Sequence, residues 1–272
     1  MPRAAERHSA FWRDPALPFV ESRQACHSRT CYKPHSHPTF SIGAVDQGCS
    51  LFTGAGQGQA RLLPGTLVFV PAHCVHACNP EPGMFWSYQM LHLDAAWLRA
   101  LRLESGQSAS DGEPARISRD AFTYQRFCRL NDMLFSAVPG AEKEAALIEF
   151  LADYEAGAHQ PLASSLLPQL PDSTLKALLQ CLEDEGNNHL TLSELATLAG
   201  MGRYQLIRAF RAATGLTPHA YQLNQRVNLA RGWLRNGTPV ADIAYRLGFA
   251  DQSHFQRVFK AHTGVTPGLY RR

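Results

Sequence analysis

The last third of the 272-residue chain repeats itself, and no other feature constrains its fold as tightly. Leu195-Ala196 recurs as Ile243-Ala244 and Gly200 recurs as Gly248, each 48 positions on. Arg208-Ala209-Phe210 recurs as Arg257-Val258-Phe259, Gly215 as Gly264, Thr217-Pro218 as Thr266-Pro267 and Tyr221 as Tyr270, each 49 positions on. One inserted residue reconciles the two offsets, so a single structural unit has been built twice.

Each unit reads as helix, tight turn, helix. In the first, Thr191-Leu-Ser-Glu194 is a capping box, in which threonine and glutamate satisfy free amides at a helix start. Leu192, Leu195, Ala196 and Ala199 follow at helical spacing, and Gly200 supplies a residue without Cβ where the chain must turn. A second helix carries Leu206, Ile207, Phe210 and Ala213 and stops at Gly215. In the second unit Thr238-Pro239 opens the first helix, Gly248 turns the chain and Asp251 caps the helix of Phe255, Val258 and Phe259. The units are predicted at about 191–215 and 238–264. Between them Thr217-Pro218 opens a helix of about twenty residues, with Leu223, Val227, Ala230 and Leu234 on one face and Asn236-Gly237 at its end. A rigid helix fixes the distance between two such units, and successive major grooves on one face of a duplex lie about 34 Å apart.

Charge follows the same division. Residues 173–272 carry 12 Lys and Arg against 6 Asp and Glu, whereas residues 1–172 carry 14 against 17. A basic module attached to a slightly acidic remainder has the electrostatic footprint of a nucleic-acid binder. At 45% hydrophobic and 18% charged residues, the chain can bury true cores, which excludes disorder, collagen and coiled-coil rods. It contains no run of about eighteen apolar residues, and its start lacks a signal-peptide core. Seven scattered cysteines are an odd set for a disulfide scaffold. The expectation is a soluble protein in a reducing cytoplasm, with no membrane partner.

The segment from Ile243 to Lys260, IAYRLGFADQSHFQRVFK, followed by Gly264-Val-Thr-Pro267 and Tyr270, resembles the signature of the AraC/XylS family of bacterial transcription regulators, and the likeness spans about 80 residues from Leu192 onward. The resemblance implies that the second helix of each unit enters the major groove of double-stranded DNA at a bipartite site. Arg203, Tyr204, Ile207 and Arg208 would then face bases in unit one, and Gln252, Ser253, Gln256 and Arg257 in unit two. Arginine forks onto guanine and glutamine onto adenine. Arg211 and Lys260, with Arg271 and Arg272, are read as phosphate neutralisers that position without specifying sequence. The family also implies activation through RNA polymerase, with repression left open, and a homodimer.

The amino-terminal half changes character. Short apolar runs punctuated by Gly and Pro predict strands at Phe40–Val45, Ser50–Thr53, Gln59–Leu62, Thr66–Val70 and Phe85–Leu93, the pattern of a small barrel or sandwich. Pro34-His35-Ser-His37, and the stretch from Pro64-Gly65 through Pro71 to His73 and His76, resemble the two cupin motifs. In metal-binding cupins a glutamate follows the His-x-His pair, but Ser41 or Ile42 stands there instead, which weakens an oxygenase or isomerase reading. His35, His37 and His76 are therefore candidates to bind an organic effector, with Phe40, Phe52, Phe69, Trp86 and Tyr88 as pocket walls. The same three histidines are the alternative ligands for a transition metal, with Cys31, Cys74 and Cys78 as nearby thiols for a metal or redox sensor. A cupin enzyme fused to a DNA-targeting domain is the remaining alternative.

The expected organisation is an α+β two-domain chain. A cupin-like sensing and dimerisation domain takes 1–160, with its barrel at about 25–100 and helices at about 120–156, followed by a linker at 161–172. An all-α domain of two helix-turn-helix units takes 173–272. A non-enzymatic, effector-responsive regulator is the function this organisation predicts.

Overall fold

A computed structural model describes residues 9–54, 58–104, 113–156, 160–161, 171–183 and 190–271. Residues 162–170 of the expected linker, the side chain of Tyr204 and Arg272 lie outside the described residues.

The amino-terminal domain is two antiparallel sheets. The larger joins β1 (Ser9–Arg13), β2 (Val20–Ser28), β3 (Thr39–Gln47), β6 (Leu67–Val70), β8 (Trp86–Asp94), β9 (Arg116–Ser118) and β10 (Gln160–Pro161) in the order β1-β2-β8-β3-β6-β9-β10. The smaller joins β4 (Ser50–Gly54), β5 (Gly58–Leu62) and β7 (His76–Pro80) in the order β5-β4-β7. Together they form the two walls of an open, cupin-like barrel; no continuous ladder closes it among the described residues. The turn from β3 into β4 depends on Gly48, at φ +71°, where an added Cβ would lie 2.3 Å from the Phe85 carbonyl oxygen.

The central strands are buried on both faces, and alternation sorts their side chains between two cores. Phe40, Ile42, Leu67, Phe69, Leu91 and Leu93 face one way and pack under α1 (Ala95–Glu104), α2 (Ala121–Phe135) and α3 (Gly140–Ala156), through Leu98, Phe127, Leu134, Leu147 and Phe150. Val45, Val68, Val70, Trp86 and Tyr88 face the other way, against Phe52 and Leu62 of the smaller sheet. Asp120 caps α2 by accepting the Thr123 amide at 2.7 Å.

The carboxyl-terminal domain is helical: α4 (Asp172–Glu183), α5 (Leu192–Leu198), α6 (Arg203–Thr214), α7 (Pro218–Arg235), α8 (Val240–Arg246), α9 (Gln252–Thr263) and α10 (Pro267–Arg271). The capping box at Thr191 and Glu194 is formed, Thr217 caps α7 with proline at its first turn, and Asp251 caps α9. Gly200 and Gly248 take φ +63° and +67° in the equivalent turns of the two units. The eighteen residues of α7 span about 27 Å at the α-helical rise. Tyr221 of α7 joins the core of the first unit, whereas Val227, Ala230 and Leu234 join that of the second.

The domains are docked. Phe11 of β1 packs on the second unit's core, and Val75 enters the first unit's. Glu21 of β2 pairs with Arg13 at 2.6 Å and with Arg235 of α7 at 2.7 Å. Arg13 and Arg23 donate to the carbonyls of Tyr270 and Thr263, both at 2.7 Å.

Candidate functional site

Two surfaces carry the residues singled out by the sequence. The first is the outer face of α6 and α9. Leu206 and Phe210 turn inward from α6, so Arg203, Arg208 and Arg211 stay exposed and Ile207 half-buried. Phe255 and Phe259 do the same for α9, which leaves Gln252, Ser253, Gln256, Arg257 and Lys260 exposed. Helical period alone produces both faces, because each apolar anchor recurs at four-residue spacing.

The second is a cavity between the sheets. His35, His37 and His76 line it, brought together from the segment before β3 and the start of β7. A single antiparallel bridge pairs His35 with His76, their amides and carbonyls bonded at 3.0 and 2.9 Å. His73, on the approach to His76, takes the left-handed φ of 62° and donates its amide to the His37 carbonyl at 2.8 Å. Such a conformation away from glycine costs energy and persists only where its surroundings hold it. Ring centroids stand 4.7 Å apart for His35 and His76, and 4.9 Å apart for His37 and His76.

The tautomers follow from the partners. Nδ1 of His35 meets the Lys33 carbonyl at 2.7 Å, Nδ1 of His76 the Cys74 carbonyl at 2.9 Å and Nδ1 of His37 the Thr39 carbonyl at 3.2 Å. A carbonyl only accepts, so Nδ1 of His35 and of His76 carries the proton and their Nε2 keeps a bare lone pair, whereas Nδ1 of His37 also meets the Thr39 and Ser41 hydroxyls, both at 3.3 Å. Burial holds these rings neutral, His35 and His37 well below the ordinary imidazole range and His76 at about 4. Ser41, one of the two residues that stand where the glutamate is missing, bonds His92 at 2.8 Å, and burial takes His92 down to about 3.

The cavity is completed by the other domain. Arg231 of α7 and His262 and Thr263 of α9 line it beside the histidines, Trp86 and Tyr88. Arg231 is half-buried, its Nε is buried without a hydrogen-bond partner, and desolvation lowers its pKa. Its charge adds to burial in depressing His35, His37, His76, His92 and His262 alike. His92, Arg231 and His262 are site residues that sequence motifs did not reach. Trp86 and Tyr88 stand in the wall as expected, but Phe40 and Phe69 do not. Both point to the opposite face of the large sheet, into the core under the helices, where strand alternation sends them.

One ring nitrogen from each of His35, His37 and His76 lies within 4.8 Å of the others, the donor set a cupin metal would use. The surroundings do not fit a cation. No Asp or Glu appears among the described lining residues, while Arg23 and Arg231 both do. Nor is Cys78 a prepared thiolate, since burial pushes its thiol up to about 12.

Comparison with known proteins accords with this architecture. Residues 20–149 match the model of the AraC-like ligand binding domain and residues 195–272 that of a helix-turn-helix domain. The chain is 27% identical to the uncharacterized HTH-type transcriptional regulator YbfI of Bacillus subtilis, over 81% of this chain and 80% of that protein. It is 26% identical to the HTH-type transcriptional activator RhaS of Enterobacter sp. strain 638, over 97% and 93% of the two chains. The structure of ToxT from Vibrio cholerae with an unsaturated fatty acid bound superposes with a TM-score of 0.58 at 14% identity, covering 98% of this chain and 97% of that one. Fold and surfaces together define a transcription regulator in which a ligand-binding sheet domain is joined to a helix-turn-helix DNA-binding domain. The chain belongs to the AraC family.

No helix among the described residues is long and apolar enough to cross a membrane.

Proposed function

We propose that the effector of this regulator sits in the cavity between the sheets and touches both domains at once. The observation that carries this reading is the presence of Arg231, His262 and Thr263 in the cavity wall. Thr263 also accepts Arg23 through its carbonyl, so the end of α9 is held by the same wall. An effector that binds one docked arrangement better than another shifts the population of DNA-competent chains by its difference in affinity. The fatty acid named with ToxT supports a small-molecule occupant in a chain of this fold.

In this reading Arg203, Tyr204, Ile207 and Arg208 of α6 and Gln252, Ser253, Gln256 and Arg257 of α9 read bases, and Arg211 and Lys260 grip phosphates. In this reading the cavity binds without transforming: its described wall holds no carboxylate to complete a cupin metal centre, and Ser41 or Ile42 stands where the cupin glutamate would be. The chain works in the cytoplasm as a homodimer through the outer faces of α2 and α3, where Phe122 is 63% exposed, and activates through RNA polymerase. The division is residues 1–160 for sensing and 173–272 for DNA.

Selection from a pool of randomised duplexes tests the DNA face. The full chain is expected to enrich two half-sites about 10–10.5 base pairs apart. Arg257→Ala then relaxes base preference at one position, whereas Lys260→Ala weakens all duplexes alike and lowers the salt slope by about one. Identical behaviour of the two variants on the pool overturns the assignment of this face.

A further inference from the structure

The long helix α7 has two stripes of opposite chemistry. Val227, Ala230 and Leu234, at steps of three and four residues, belong to the core of the second unit. Asn224, Asn228, Arg231 and Arg235, at steps of four, three and four, form a polar stripe that meets the sheet domain: Arg231 lines the cavity, Arg235 holds Glu21, and both asparagines reach Ser36. Asparagine is a poor helix former because its side chain competes for backbone groups, so two of them in mid-helix answer to something other than propensity. A face this polar also separates at little cost, since water satisfies the groups that the other domain gives up.

What the asparagines meet is the residue between two of the cavity histidines. Successive side chains on extended backbone point to opposite sides. His35 is bridged to His76 as a strand residue is, and with His37 it lines the cavity; Ser36 turns the other way, to α7. There the Ser36 amide donates to Asn224 Oδ1 at 3.2 Å, while Asn224 Nδ2 donates to the Ser36 carbonyl at 2.9 Å and to its hydroxyl oxygen at 3.0 Å. Asn228 Nδ2 adds a bond to the same carbonyl at 3.1 Å. Ser36 and Asn224 are both buried, and among the described residues the Asn224 side chain bonds to no residue but Ser36. A shift of His35 or His37 in the cavity reaches Ser36 across one peptide bond, and a shift of Ser36 either carries α7 with it or breaks these four hydrogen bonds.

We propose that Ser36 and Asn224 form a latch through which the histidine segment of the cavity positions α7, and with it both helix-turn-helix units. The proposal rests on the reading that the cavity governs the DNA-binding domain, and adds to it a route through the protein itself that needs no contact between effector and α7. Asn224 is a positioning residue in this scheme. With the latch closed each of its polar groups has a protein partner, and with it open each has water. The chain thus has two arrangements, docked and released, that the histidine segment can bias.

A double-mutant cycle on DNA affinity tests the latch in the full chain, with the duplex enriched from the randomised pool as the probe. His37→Ala disturbs the segment inside the cavity and is expected to change Kd for that duplex about fivefold or more. In an Asn224→Ala background the same change should move Kd less than about twofold. Gln222→Ala is the control, because Gln222 is likewise a buried amide on α7, but its bond, to the Leu190 carbonyl at 2.8 Å, stays inside the helical domain. In that background the full response to His37→Ala should persist. A merely structural role for Asn224 would add to the His37→Ala effect and leave its size unchanged. Should Asn224→Ala fail to fold, Asn224→Asp, which keeps the volume and removes the N–H donors, takes its place with the same expectation. A response that survives in the Asn224 variants, or is lost equally in Gln222→Ala, overturns the latch and leaves the effector reading standing through Arg231. A Kd indifferent to His37→Ala in the parent chain, with DNA selection intact, overturns the latch and the effector reading together.

Discussion

The two helix-turn-helix units share a plan and differ in what holds them. Phe210 in the first and Phe259 in the second are equivalent anchors, both fully buried. The first unit's core is closed by its own chain, Leu178 and Leu182 of α4 and Tyr221 of α7, with Val75 from the sheet domain. The second is gripped from outside: Phe11 packs on its core, Arg13 and Arg23 hold the carbonyls of Tyr270 and Thr263, the Lys33 amide bonds the Ala261 carbonyl at 3.1 Å, and Glu21 takes Arg235. The cavity wall draws on α7 and on the end of α9, and on neither α5 nor α6. The lesson is one of wiring: the cavity meets the second unit directly, through α7 and the end of α9, and reaches the first through α7 and through Val75, the neighbour of His76 in the chain.

The strongest way to break this comparison is to empty the two anchors in turn. Phe210→Ala and Phe259→Ala each remove a fully buried ring and should each cost about 3–5 kcal/mol. Their reach should differ. Amide hydrogen exchange is expected to show loss of protection confined to α4–α6 for Phe210→Ala, and loss extending to the cavity wall and β2 for Phe259→Ala. Equal spread in both variants would mean that the units are not separately wired.

Next in size is the ionic clasp. Burial by itself raises the Glu21 carboxyl, but the Arg235 and Arg13 guanidiniums outweigh it and hold the group at about 2, against an ordinary 4.5. Glu21→Gln leaves two cations facing a neutral group. Because the Arg235 side chain keeps 38% of its surface in solvent, the cost is discounted to about 2 kcal/mol. A carboxylate whose pKa is depressed on folding stabilises fully above its unfolded value and loses that contribution as pH falls toward the folded one. Urea titrations of parent and variant should thus differ above about pH 4.5 and converge between there and pH 2. A gap independent of pH would assign the effect to packing.

How far these features could be read from sequence depended on where their cause lies. The helical domain was legible because its signals are local: caps at Thr191, Thr217 and Asp251, turns at Gly200 and Gly248, and apolar stripes at helical period. Strands β3 to β6 and β8, with α2 and α3, were legible for the same reason. Strand β2 was not. Its Glu21, Ser22 and Arg23 are polar and carry no strand pattern, yet all three are buried, because partners that meet them lie across the domain boundary or on α2. Strand β1, the short β7, and helices α1 and α4 were likewise missed, β7 because its Asn79-Pro80 end reads as a turn. Phe40 and Phe69 were placed on the wrong face because a strand buried on both sides shows no polar alternation from which to read parity. The histidines 35, 37 and 76 were found from their resemblance to the cupin motifs, whereas Arg231 and His262 belong to the cavity only once the domains dock.

The finest test of the comparison concerns how the second helix of each unit starts. Asp251 caps α9 by accepting the His254 amide at 2.6 Å, whereas α6 starts at Gly202, which has no side chain to give. Asp251→Ala should destabilise the second unit by about 1 kcal/mol, and Gly202→Asn should stabilise the first by a few tenths. Gly202 has φ −67° and ψ 150°, extended backbone that asparagine adopts without strain. If the docked unit relies on the sheet domain for order and the other on its own helix ends, the gain at Gly202 should appear as slower exchange in α6. The loss at Asp251 should be partly masked for as long as the Glu21 clasp is intact. Combining Asp251→Ala with Glu21→Gln should then cost more than the two changes do separately, and strict additivity would show that clasp and cap act on independent parts of the unit.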